Sequence, residues 1–275
     1  MIEPTTGQLV LLGLAVALFA AGVGVAVARA WGRSSDALRL PGKACLYGGI
    51  VAAIGVIAWH AVGRHEWLPV NDNFESLVWL GVLLALFVMY TQHAKPVGGL
   101  ELFVMPIVIV LLVAAGFFGR LEPQEYRELR EDTWMWVHRV SAYGGAVAFA
   151  MAAAGGAMYV LASRRLRNKT PLKGFGSLER LEHLTMVSVT VGFALLTVGL
   201  VTGLVRYRPN QLPVTKLALA SLAWVVYAVV LHAPFNPRFR GQRAAILSVF
   251  GFALVVGTIV VVLLVPGGGG GGGNG

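Results

Sequence analysis

Six histidines hold most of the chemistry this sequence offers. His232 closes the apolar run 224–232 and is followed by Arg238, Arg240 and Arg243. An imidazole at the edge of so apolar a segment is either a boundary residue or part of a site. His60 precedes Arg64 by four residues, which puts the two on one helix face, and His65 follows directly. His138 stands two residues after Trp136, with Trp134 one turn before it and Arg139 next to it; His93 and His183 complete the set. Neutral imidazole is a ligand for zinc, copper and iron. A bare zinc ion would need further cysteine, histidine or carboxylate ligands at close spacing. Neither H-x-x-x-H nor H-E-x-x-H occurs, which argues against a metalloprotease.

The elements that must position these side chains are membrane spans. Of 275 residues, 57% are hydrophobic and only 13% charged, a balance no water-soluble globule has. Apolar runs of about 20 residues, the length of a span, recur at 8–28, 44–62, 74–92, 99–118, 135–162, 184–205, 212–232 and 244–265. They are too long for barrel strands and lack period-2 alternation. The fold class is therefore an all-α integral membrane protein, a polytopic bundle of about eight transmembrane helices. With Met1 outside, the inner loops 29–43, 93–98, 164–180 and 234–243 hold fourteen of the 22 lysines and arginines. That bias predicts both termini outside (N-out, C-out), and it assigns the net charge of +9 to orientation in the lipid bilayer rather than to nucleic acid. The first helix is expected to remain in the mature chain, because MIEPTTGQ lacks the basic stretch of a signal peptide. The chain divides into an N-terminal helix pair (1–64), a six-helix unit (65–265) and a Gly-rich tail (266–275) expected to be disordered.

This topology sorts the histidines by side: His60, His65 and His138 outside, His93, His183 and His232 inside. For any single one, a boundary position where the ring reaches water is the plainer account; two triplets on opposite sides weaken it. An axial role toward haem iron suits the neighbours better than a bare ion. Arg64, Arg139, Arg206 and Arg208 are placed to pair with propionates, and Trp59, Trp67, Trp134 and Trp136 offer flat apolar surfaces, although an interfacial aromatic belt accounts for them equally. His60 is the first candidate to share one iron with His138, and His93 or His183 to accompany His232. Asn71, Asp72 or Asn73 is expected to cap the third helix with Glu75 in its first turn, and Pro106 to kink the fourth. Gly192, Gly199 and Gly203 are read as close-packing residues. The lone cysteine, Cys45, provides neither a disulfide nor a C-x-x-C pair.

Five segments in order, PVNDNFESLVWL, GGLELFVMPIVIVLL, WVHRVSAYGGAVAF, LERLEHLTMVSVTVGFALLTVGLVTG and WVVYAVVLHAPFNPRFRGQRAAILSVFGF, give residues 65 to 262 a resemblance to the cytochrome c assembly family of CcsA and ResC, which includes a HemX-like branch. The resemblance implies a multi-helix membrane protein that conveys haem to the outer face for attachment to apocytochrome c. It makes His138 the outer histidine and His232, matching the family's LH-x-R segment, a haem ligand within the membrane. The family's tryptophan-rich segment, similar to WGxxWxWDxxE, has no counterpart between Leu204 and Trp224, and VPGGGG stands where a second outer histidine would follow the last helix.

The expected function is haem binding and delivery across the membrane for c-type cytochrome biogenesis, with haem, other maturation membrane proteins and apocytochrome c as partners, in the cell's inner (plasma) membrane. Without the tryptophan-rich segment, full haem lyase activity is doubtful, and no catalytic residue is assigned. Two alternatives stay open: a lyase in which His60 or His65 replaces the missing ligand, and a HemX-like regulator or scaffold in haem metabolism without ligation activity.

Overall fold

Eight helices follow from the eight apolar runs: α1 (Thr6–Ala30), α2 (Arg39–Arg64), α3 (Asn73–Ala94), α4 (Glu101–Phe118), α5 (Thr133–Arg167), α6 (Leu178–Arg206), α7 (Val214–Leu231) and α8 (Gln242–Leu264). In this computed structural model the described residues are 4–30, 37–64, 73–94, 98–118, 133–169, 177–206, 214–235 and 241–264. All eight helices are long and apolar enough to cross a membrane. No water is available in the hydrocarbon to satisfy open backbone groups, so helices are the form such runs take. Their outward faces are apolar as well: Val10, Val51, Val110, Phe117, Val205 and Phe250 are all more than half exposed. The protein is a multi-pass membrane protein. The tail 266–275, the expected caps Asn71 and Asp72, and His65, Trp67 and Arg208 lie outside the described residues, as do the side chains of Asn73, Arg64 and Arg206. Glu75 is in the first turn of α3 and fully buried, and α4 runs through Pro106 without interruption.

The helices pack four and four, across the sequence boundary at residue 65. α1 packs on α2 and α4, and α3 on α2 and α4, closing one ring; α5, α6, α7 and α8 close a second in the same order of neighbours. The rings meet where α5 touches α3 and α4, and the Tyr143 hydroxyl of α5 donates a 2.6 Å hydrogen bond to Ser76 Oγ of α3 across that seam.

Aromatic rings seated on glycines fill both rings of helices. Phe19 of α1 lies over Gly49 of α2, where an added Cβ would come within 2.7 Å of the phenyl carbons. In the second ring Phe149 (α5) and Tyr227 (α7) stack with centroids 3.7 Å apart at 11°. Gly192 (α6) closes on Phe149 and Gly251 (α8) on Tyr227; built Cβ atoms would stand 2.7 Å and 2.8 Å from the two rings. One contact thus ties all four helices of the second ring together.

Local sequence sets the ends that matter for the histidines. Thr5 and Gln8 form a capping box at α1: the Gln8 amide donates to Thr5 Oγ1 (3.3 Å) and the Thr5 amide to Gln8 Oε1 (2.8 Å). α7 ends in a single 3-10 turn, Ala233–Phe235, directly after His232. α8 starts behind Gly241, whose φ of +72° favours glycine and where an added Cβ would stand 2.9 Å from the Tyr159 hydroxyl.

Candidate metal-ligating histidines

His138 is lodged on the neighbouring helix. Its position near the start of α5 turns the half-buried ring toward α6, where Nδ1 lies 2.9 Å from the carbonyl oxygen of Gly199 and 3.3 Å from Thr202 Oγ1. Gly203 borders the ring; a Cβ there would sit 3.2 Å from Cε1. A carbonyl oxygen only accepts, so Nδ1 carries the proton and the lone pair of a neutral ring is on Nε2. A ligating imidazole has this form, with its other nitrogen donating to an oxygen.

His60 is held differently. It is 1% exposed, its ring lies against Phe74 of α3 with centroids 5.2 Å apart, and Nδ1 is 3.4 Å from Oε1 of Gln8 on α1. Gln8 is itself 2% exposed. His60 and His138 are therefore seated against different helices, His60 between α1 and α3 and His138 on α6.

At the opposite end, His232 is exposed with Nδ1 2.8 Å from the Ala228 carbonyl oxygen, one turn back in α7. His93 pairs its Nδ1 with the Met89 carbonyl at 2.9 Å, and the Tyr47 hydroxyl of α2 lies 3.1 Å from Nε2, the two rings stacked. Donation from Tyr47 then occupies the lone pair of His93. His183 is exposed near the start of α6, the helix that packs on α7. Beside it Glu182 lines a small cleft with Tyr159, Thr185, Met186, Ala233, Gly241, Ala244 and Ala245. His93 belongs to the first ring of helices and His232 to the second, which makes His183 the better placed companion for His232. Among the described residues, no three side chains of metal-ligating type converge.

Of the residues considered beside the histidines, Arg139 is half-buried and Trp134 exposed, each engaged in other interactions. Trp136 is half-buried. Trp59 is about half exposed, with its ring over Gly7, where a Cβ would come within 2.6 Å. The sequence reading missed Gln8, Thr202 and Tyr47. The pattern T-x-x-Q at residues 5–8 is a legible signal for Gln8; Thr202 and Tyr47 gain meaning only once the helices are paired.

Comparison with known proteins agrees with this architecture. The profile of the family described as "Cytochrome C assembly protein" matches residues 67–267. The chain is 24% identical to the cytochrome c biogenesis protein CcsA of Guillardia theta over 225 residues, 69% of this chain and 71% of that one. It is 24% identical to the CcsA of Prochlorococcus marinus subsp. pastoris over 239 residues, 74% of each. A stronger but shorter match, 33% over 92 residues, joins 30% of this chain to 27% of the CcsA of Prochlorococcus marinus strain NATL1A. Among solved structures, the cytochrome c haem lyase CcmF superposes with a TM-score of 0.64 at 17% identity, covering 98% of this chain and 48% of that one. This chain thus spans about half of that structure, and the likeness is one of fold. With a family match over most of its length, the chain belongs to the cytochrome c assembly protein family.

Proposed function

We propose that this protein binds haem in the membrane and delivers it toward the outer face for c-type cytochrome biogenesis, with His138 as ligand at one end of the bundle and His232 at the other. The observation that carries the reading is the seat of His138: an imidazole donating Nδ1–H to the Gly199 carbonyl at 2.9 Å, which leaves Nε2 as the basic nitrogen. His232 repeats the pattern on its own helix. The donor set fits haem, whose iron takes imidazole nitrogen and whose propionates pair with arginine. The chain's part is to hold the ring nitrogens, pair the propionates through Arg139 and Arg64, and keep water away. The absence of tryptophan between Leu204 and Trp224 favours delivery over ligation. Other maturation membrane proteins and apocytochrome c are then its partners, and the cell's inner (plasma) membrane its location.

The test is the absorption spectrum of the protein purified in mild detergent and titrated with haem, beside His138→Ala and His232→Ala. Each substitution is expected to lower the haem retained per chain and to shift the spectrum. If both folded variants retain haem with an unchanged spectrum, the histidines are boundary residues and the reading fails.

A further inference from the structure

Histidines 93 and 232 rest Nδ1 on the carbonyl of their own helix, four residues back. His138 instead reaches across to α6, where two oxygens meet its single proton. The Gly199 carbonyl is 2.9 Å away and Thr202 Oγ1 3.3 Å. The Thr202 side chain is nearly inaccessible, with the residue 4% exposed. Its own hydroxyl proton has an acceptor 2.7 Å away in the Val198 carbonyl. Donating there turns an oxygen lone pair, not the hydrogen, toward His138. The Nδ1–H thus faces two oxygens of α6 that lie 3.2 Å from each other, the shorter bond of the Thr202 hydroxyl running to Val198.

We propose that Thr202 is a positioning residue for His138: its hydroxyl oxygen and the Gly199 carbonyl together hold the ring in one tautomer and one orientation, with Nε2 presented for ligation. The sequence G-L-V-T-G at 199–203 is then the seat of a ligand-bearing ring as well as a packing motif. Gly203 belongs to the same seat, since a methyl group there would stand 3.2 Å from Cε1 and 3.5 Å from Nδ1 and would press on the ring edge that faces its acceptors. Outer partners of this kind typically change metal affinity by about 10- to 100-fold. The inference rests on the reading of His138 as a haem ligand, and its test separates the two.

The experiment follows haem loss from the full chain in detergent to excess apo-globin, together with the absorption spectrum and the thermal unfolding of the haem-free protein. Thr202→Val keeps the shape and the β-branch but removes the acceptor; it is expected to speed haem loss about tenfold or more. Thr202→Ser, which restores the hydroxyl, is expected to return the rate to the original value. Gly203→Ala, which leaves Thr202 intact, is expected to speed loss by tilting the ring, and it serves where Thr202→Val folds poorly. If Thr202→Val and Gly203→Ala lose haem at the original rate while His138→Ala loses it fast, the positioning role is overturned and the haem reading stands. If His138→Ala itself retains haem at the original rate, both fall.

Discussion

Gly156 of α5 and Ala245 of α8 bring their helices into backbone contact: a Cβ on Gly156 would lie 2.7 Å from the Ala245 carbonyl oxygen and 3.4 Å from its Cα. No side chain is there to swing aside, so a methyl group must part the two helices. Gly155, the next residue, faces α6, where the Thr185 side-chain Oγ1 would be 2.7 Å from an added Cβ and the Leu181 carbonyl oxygen 3.6 Å. Gly156→Ala is expected to cost about 1 to 3 kcal/mol, the range of overpacked interiors, and to lower the thermal unfolding midpoint in detergent. Gly13→Ala is the control: nothing lies within 4 Å of that position, and the midpoint should not fall. Equal midpoints for the two variants would refute the close crossing of α5 and α8.

Gln8 serves two partners at once, closing the cap of α1 and accepting from His60 across to α2. Replacing it with leucine keeps the bulk and removes both the cap acceptor and the oxygen that faces His60 Nδ1. The loss of stability is expected at about 1 to 3 kcal/mol, the sum of a lost cap and a lost buried hydrogen bond, and thermal unfolding measures it. Thr5→Ala removes half of the cap and leaves Oε1 of Gln8 in place for His60, so its loss should be the smaller of the two. A reversed order would assign the energy to the cap alone.

Orientation is tested by reporter fusions. With N-terminus and C-terminus outside, alkaline phosphatase joined after Val265 is expected to be active and joined at Thr170 inactive. The opposite pattern would exchange the sides of His138 and His232 and reverse the direction of delivery.

The helices were readable because each apolar run is about as long as a bilayer is thick, and their ends because the chain turns polar there. His232 stood out for the same reason: it interrupts an apolar pattern just before a basic segment. What an imidazole touches is set by which helices become neighbours, and linear order does not state that. His60 and His138 fall at one end of the bundle in the sequence and in the topology, yet one is enclosed by α1 and α3 and the other by α6. The glycines of α6 look alike in the sequence, and only the structure separates Gly192, which takes the face of Phe149, from Gly203, which borders His138. Thr202 carried no signal at all, since threonines bonded to their own helix are common in spans and its second contact lies 64 residues away.

The shared position of α5, a member of the second ring that also touches α3 and α4, bears on how the chain is made. Synthesis delivers α1 to α4 first, and all four contacts of their ring are among themselves. That half can close in the membrane while the ribosome is still translating the rest, as N-terminal units of larger proteins do. α5 then packs on that half, with Tyr143 on Ser76 and with Ala150, Met151, Ala154, Met158 and Ala162 joining its buried core. Only afterwards do α6 and α8 find the glycines at 155 and 156 that receive them. A truncation after residue 118 would accordingly leave a closed unit, whereas one within α5 would leave a ring with a stray helix and nothing to complete it.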